Sequence, residues 1–132
     1  MADTTYTLGI GRRKTATARV KLTPAAKTTV MVNGVPGEEY FRTTERQNIP
    51  LDPLGLEAVS GTFAIEAKVQ GGGISSQAEA IRMGVARALT LKESNLRKPL
   101  KAAGYLKRDP RAVERKKPGL RKARKRPQWS KR

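Results

Sequence analysis

A small body that mixes β-strands with packed helices, continued by a long extended basic arm, is the fold this sequence predicts. Three observations carry it. Apolar and polar residues alternate over 16–22 and again over 63–69, the period of strands with one buried face. Apolar residues recur at helical spacing through Ala78, Ile81, Val85 and Leu89. The charge is segregated: Lys92 to Arg132 holds seventeen of the 28 basic residues and three of the 11 acids, a net +14 in a chain of +17.

The elements follow in chain order. Tyr6, Leu8 and Ile10 alternate with Thr5, Thr7 and Gly9. After Gly11-Arg12-Arg13-Lys14 a second alternation sets Ala16, Ala18, Val20 and Leu22 on one face, which predicts a β-hairpin. The other face of its second strand carries Thr15, Thr17, Arg19 and Lys21, and the three cations of the turn make its tip a candidate phosphate contact. A third strand is expected over Thr28 to Val32, stopped by Asn33-Gly34, a pair that tolerates the positive φ of tight turns. Glu38 to Gln47 reads as a helix with acids at the positive end of its dipole, and Pro50 and Pro53 prevent its continuation.

Phe63, Ile65, Ala67 and Val69 mark the clearest strand, which ends at Gly71-Gly72-Gly73. Ser76 and Glu79 have capping-box spacing ahead of a helix from about Gln77 to Leu89, with Arg82 and Arg87 off its apolar stripe. A short helix is predicted over Leu96 to Ala103, with Gly104 as its left-handed stop. From Lys107 onward Pro110, Pro118 and Pro127 punctuate a run with no apolar face, which predicts no helix or strand.

Composition narrows the chemistry. With neither cysteine nor histidine there are no disulfides, no thiol nucleophile, no cysteine-based zinc site and no ordinary neutral-pH base. Any enzyme would have to use carboxylates or lysine. The first residues lack the basic then apolar pattern of a signal peptide, and no apolar run is long enough for a membrane span, so a soluble, unexported protein is expected. A body of about ninety residues buries only a small core, so a partner is expected to add to its stability. A self-repelling +14 segment needs a polyanion, and nucleic acid supplies one, because each phosphate neutralised releases a condensed counterion.

Two glycine motifs have competing readings. Gly71-Gly72-Gly73-Ile74-Ser75-Ser76 places unshielded amides at a helix start, where anions are attracted, yet it lacks the Gly-Lys-Ser/Thr of a P-loop and the GxGxxG of a dinucleotide site. It reads as a tight strand-to-helix connection or as a close approach to an RNA backbone. Gly34-Val35-Pro36-Gly37 matches the GxxG of a KH domain only formally, since it follows a strand, and it reads as a turn. Six aromatics and no RNP1-like run argue against base stacking, leaving phosphate and shape contacts. Trp129 either stacks on a nucleobase or ribose or rests on apolar protein surface.

The candidate RNA contacts are Arg12, Arg13, Lys14 and Arg19 on the hairpin and Gly72 and Gly73 at the glycine corner. In the arm they are Arg108, Arg111, Arg115, Lys116, Lys117, Arg121, Lys122, Arg124, Lys125 and Arg126. Lys-Arg tracts spaced by Pro and Gly can thread between RNA helices with little bulk to obstruct them.

Three segments in order, Gly9 to Val20, Gly71 to Ala78, and Leu100 to Leu106 continuing through Arg115 to Gly119, together with the terminal Ser130-Lys131-Arg132, resemble the ribosomal small-subunit protein nine family in its bacterial or plastid form. The resemblance implies an α+β fold with a left-handed β-α-β crossover akin to the second domain of ribosomal protein S-five. It also implies a globular ribosomal RNA-binding body over 1–106 and a basic tail over 107–132. It implies partners as well: small-subunit ribosomal RNA, neighbouring proteins of the subunit head, and peptidyl-site transfer RNA met through Ser130, Lys131 and Arg132. No cofactor, metal, membrane or homo-oligomer is expected, and the location implied is the cytoplasmic ribosome, or the plastid stroma for a plastid-encoded chain.

Two other functions compete. Small-molecule kinases of the same fold superfamily share a Gly-x-Ser-Ser phosphate loop, but this chain shows no second domain, metal-binding carboxylate cluster or catalytic base. A general nucleic-acid compactor is supported by charge alone, without a groove-reading helix or dimer interface.

Overall fold

The computed structural model describes residues 6–131, so Thr5 of the first predicted strand and Arg132 of the tail tip lie outside the described residues. The fold is α+β. Strands β1 (Thr7–Arg13), β2 (Ala16–Pro24), β3 (Thr29–Val32) and β4 (Val35–Pro36) precede helices α1 (Gly37–Phe41) and α2 (Thr44–Asn48) and a 3-10 segment, Ile49–Gly55. Strand β5 (Phe63–Gln70) then leads into α3 (Ile74–Lys92), a 3-10 turn at Ser94–Leu96 and α4 (Arg97–Ala103). The sheet order is β1-β2-β5-β3-β4, antiparallel except that β3 and β5 run parallel.

The core lies between one face of this sheet and α3. Ala16, Ala18, Val20 and Leu22 of β2 and Phe63, Ile65, Ala67 and Val69 of β5 all point into it, as their alternation predicts. Helix α3 answers with Ala78, Ile81, Val85 and Leu89, and it also buries Ala80, Met83, Gly84, Ala86 and Ala88. A stripe read from four residues is therefore much wider in fact, because the helix is covered by the sheet on one side and by the 3-10 segment and α4 on others.

Strand β1 departs from an apolar-inward pattern. Tyr6, Leu8 and Ile10 are 51%, 51% and 45% exposed, and the side turned to α3 carries Gly9, Gly11 and Arg13. The cause is proximity. A Cβ on Gly9 would stand 2.0 Å from the Gly84 carbonyl oxygen, and one on Gly11 would stand 1.8 Å from that of Ala80. Gly84 completes the seam, since a Cβ there would meet Val20 at 2.6 Å.

Three further expectations are corrected. The hairpin turn is not the cationic tetrapeptide. Arg13 pairs with Ala16, so β1 runs through both arginines and the turn is Lys14-Thr15, with Lys14 at φ 53°. The predicted helix over 38–47 is split, because Arg42 takes φ 59° and the chain restarts at Thr44. Ser76 caps nothing: α3 begins at Ile74 behind Gly73, Ser76 is buried within it, and Glu79 turns to Arg13 instead of to the helix start.

Other elements form as read. Asn33 (φ 51°) and Gly34 (φ 81°) make the tight turn between β3 and β4, so of the formal GxxG only Gly34 lies in a turn, Val35 and Pro36 forming β4 and Gly37 opening α1. Asn33 also extends the pairing of β3. Its Oδ1 accepts from the Val69 amide at 2.9 Å and its Nδ2 donates to the Val69 carbonyl at 3.1 Å. Gly104 (φ 86°) stops α4, with the Tyr105 amide donating to the Leu100 carbonyl at 3.1 Å.

Candidate nucleic-acid interface

Alternation along β1 sends Arg12 and Arg13 to opposite faces of the sheet, and their fates differ accordingly. Arg13 is 9% exposed. Its Nε donates to Glu79 Oε2 at 2.5 Å, its Nη1 to the Arg111 carbonyl at 2.7 Å, and Asp109 Oδ2 lies 3.4 Å from its Nη2. Arg12 and Lys14 stay exposed at the tip. Of the three cations read as a phosphate contact, one is thus engaged by the protein itself and two face outward.

The arm departs from that same corner. Arg108 Nη2 donates to the Lys14 carbonyl at 3.2 Å, and Asp109 grips Arg111 through Nε at 3.0 Å and Nη2 at 2.7 Å. These bonds from the Arg111 side chain and its amide, with the nearby Arg13 charge, hold the Asp109 carboxyl well below the usual carboxylate range. The same pair raises Arg111. The first residues of the arm are therefore held through Arg13, which is fixed by Glu79 of α3 and reaches the Arg111 carbonyl and Asp109 of the arm.

Beyond this root, no helix or strand occurs among the described residues, but the chain is not straight. Glu114 accepts from Arg124 Nε at 2.9 Å and pairs with Lys117, while the Arg121 amide donates to the Lys125 carbonyl at 2.7 Å. Arg111 is thus paired with Asp109, while Lys117 and Arg124 share the one carboxylate of Glu114. Arg115, Lys116, Arg121, Lys122, Lys125, Arg126 and Lys131 are exposed, as are Arg108 and Ser130. Trp129 is 78% exposed and joins no core.

The glycine corner sits against the hairpin turn. A Cβ on Gly71 would come within 2.5 Å of the Thr15 carbonyl oxygen, and one on Gly72 within 3.0 Å of the Ala16 Cβ, whereas Gly73 is open. Gln77 locks the connection by donating from Nε2 to the Gly71 carbonyl at 3.0 Å and accepting from the Tyr40 hydroxyl. Gly72 is exposed, with no room for a Cβ on the side that faces Ala16. Gly73, ahead of α3, is exposed as well and has open space where a Cβ would stand.

Arg19 is exposed on the outer face of the sheet, where sequence reasoning left two neighbours out of the contact set. The register pairs Arg19 with Lys68 of β5, and Lys21 lies two residues further along β2. The signal was available in the alternation of β5, but which residue stood beside Arg19 depended on strand order. Arg82 and Arg87 are used internally. Arg82 pairs with Asp52 at 3.5 Å and lies 5.6 Å from the Tyr105 ring centre, and Arg87 donates to the Ile10 carbonyl at 2.8 Å.

Among the described residues no group of three or more Asp or Glu side chains is arranged to hold a metal, and no helix is long and apolar enough to cross a membrane. The corner built by Arg12, Lys14, Gly73 and the arm offers exposed cations and open backbone to an anionic polymer.

Comparison with known proteins gives concordant matches. Residues 11–132 match the family described as ribosomal protein S9/S16. Small ribosomal subunit protein uS9 of Synechocystis sp. is 53% identical over 128 residues, 94% of this chain and 90% of that protein. The uS9 protein of Cytophaga hutchinsonii is 52% identical over 123 residues, 93% of this chain and 95% of its own length. That of Tropheryma whipplei is 50% identical over 125 residues, covering 94% and 80% respectively.

Proposed function

Since the chain belongs to the ribosomal protein S9/S16 family, we propose that it is a structural component of the small ribosomal subunit, held in the subunit head on ribosomal RNA. The observation that carries this reading is the tethered root of the arm. An ordered body anchors a strongly cationic chain at one corner through Arg13, Glu79 and Asp109 and leaves most of the following cations exposed. Such an arm suits structured RNA, where phosphates line several helices at once and can be met without reading bases.

In this reading the body extends to residue 106, and the arm over 107–132 begins with a short bound root. Arg12, Lys14, Arg19, Gly73 and the exposed arm cations meet ribosomal RNA. Gly72 meets it beside Gly73, Arg13 supports that surface from inside, and Arg111, Lys117 and Arg124 join it by exchanging their acid partners for phosphate. Ser130, Lys131 and Arg132 reach the anticodon loop of peptidyl-site transfer RNA, where backbone contact accepts every transfer RNA alike. The helical connection between the parallel strands β3 and β5 is the family's left-handed crossover. Neighbouring head proteins complete the surroundings, in the cytoplasm or in a plastid stroma, and the role is non-enzymatic.

Competition between folded small-subunit head RNA and duplex DNA at matched salt tests the reading. The RNA is expected to win clearly. Equal affinity for the two would favour a general compactor and overturn the ribosomal assignment.

A further inference from the structure

The two edges of the sheet are finished differently. At one edge β4 has two residues, and one of them, Pro36, has no amide hydrogen to donate. At the other edge β1 runs for seven residues without a proline and pairs with β2 alone. The Ile10 carbonyl accepts from Arg87 Nη1 at 2.8 Å and so is turned away from β2. Alternate residues of an antiparallel strand present their backbone groups to the same side, so Leu8 and Arg12 point theirs outward with Ile10. A long edge covered by one exchangeable side-chain bond is a template for a further strand.

Apolar surface gathers at this same edge. Leu8 and Ile10 are 51% and 45% exposed, and Leu91, in the last turn of α3, is 73% exposed. These three and Leu106 line one open groove, whose charged members are Arg87 and Arg97 and which holds no acid. Arg97 is exposed and has no ion-pair partner among the described residues.

The chemistry of the groove selects its occupant. A net charge of +17 opposes a second copy of the chain. RNA would find two cations set in a leucine and isoleucine surface. An extended protein segment satisfies every feature at once: backbone partners for β1, apolar side chains for Leu8, Ile10 and Leu91, and a carboxylate for Arg87 and Arg97.

We propose that the β1 edge is a protein-docking site, filled when a neighbouring protein of the small-subunit head adds an extended, acidic and apolar segment as a further strand. The inference rests on the ribosomal reading above, and it gives one of the protein neighbours a place and a recognition chemistry.

The test uses the full chain in reconstituted small subunits. Since the sequence has no cysteine, Leu91→Cys carries the only thiol, and an apolar benzophenone attached to it reports what fills the groove. Cross-linking to a protein segment with alternating apolar residues and at least one Asp or Glu is expected. Ile10→Lys, combined with the label, separates the two classes of partner. An added cation would strengthen a contact with RNA, whereas it breaks an apolar strand seat, so the yield should fall on the order of tenfold. Arg97→Glu should lower the yield as well, and Arg97→Lys should keep it. Both side chains are exposed, so uptake into the subunit and the thermal midpoint should stay at parental values.

Cross-links confined to RNA, or no protein cross-link in subunits that have taken up the labelled chain, would overturn the proposal. A protein cross-link whose yield Ile10→Lys leaves unchanged would overturn it too. Failure of the parent chain to enter the subunit would instead remove the ribosomal reading itself.

Discussion

Arg13, near the end of β1, and Glu79, in the second turn of α3, meet at 2.5 Å with the arginine side chain 11% exposed and the glutamate 34%. Sixty-six residues separate them in sequence. Their contact ties the hairpin to the long helix, and Arg13 carries it on to the arm through the Arg111 carbonyl. Glu79→Ala should destabilise the body by about 2 to 3 kcal/mol, below the range for fully buried pairs because the glutamate is one-third exposed. Chemical denaturation reads the loss, and Glu79→Gln should recover part of it by keeping a hydrogen-bond acceptor.

Gly9→Ala and Gly11→Ala place a methyl group far inside the van der Waals contact distance of a helix carbonyl oxygen. Neither contact can be relieved by a side-chain rotation, since both listening partners are backbone atoms of α3. Each substitution is expected to cost about 3 kcal/mol or more, at or above the usual upper range for overpacking. A loss under about 1 kcal/mol by thermal denaturation would mean that the helix is free to lift from β1.

The Asp109 carboxyl is depressed by Arg111, so its tether to the arm root has a definite pH dependence. A carboxylate with a lowered folded pKa adds stability that is present above its unfolded value, near 3.9, and that is lost as pH falls through the folded value. The Asp109 to Arg111 contact should therefore survive from neutral pH to below pH 4 and release only in stronger acid. Carboxyl carbon chemical shifts of Asp109 follow the titration, and a midpoint at the ordinary value would refute the pairing in solution.

Deleting 107–132 should weaken association with small-subunit RNA and flatten its salt dependence, with on the order of ten phosphate contacts each contributing about 0.7 to 0.9 to the log-log slope. A slope equal to that of the full chain would place the binding energy in the body.

Deleting only Ser130 to Arg132 should leave incorporation into the subunit largely intact and weaken peptidyl-site transfer RNA binding. Unchanged transfer RNA affinity in filter binding would show that the tip takes no part in it.

The strands β2 and β5 were legible because each has one buried face and a period of two, which the sequence writes directly. Strand β1 was legible as a strand but not in its orientation. Glycine records no preference for inside or outside in an alternation count, and only the close approach of α3 makes it the required residue at 9 and 11. The same limit applies to Ser76 and Glu79. Their spacing satisfies a local capping pattern, yet the helix starts at Ile74, three residues before the expected Gln77, and Glu79 is claimed by an arginine that is distant in sequence.

The sequence by itself determined the division of charge between body and arm, the strand and helix periods, the absence of thiol and imidazole chemistry, and the family resemblance that the comparisons bear out. Only the tertiary structure decided which cations face outward. Arg12 and Arg13 are neighbours of identical type, and the pleat sends one to solvent and the other to Glu79. Arg19 and Lys68 are far apart in the chain, and sheet order makes them a repelling pair. Charge is a property that each residue carries alone, whereas its availability to a partner depends on long-range contacts, and those exist only once the strands and α3 have packed.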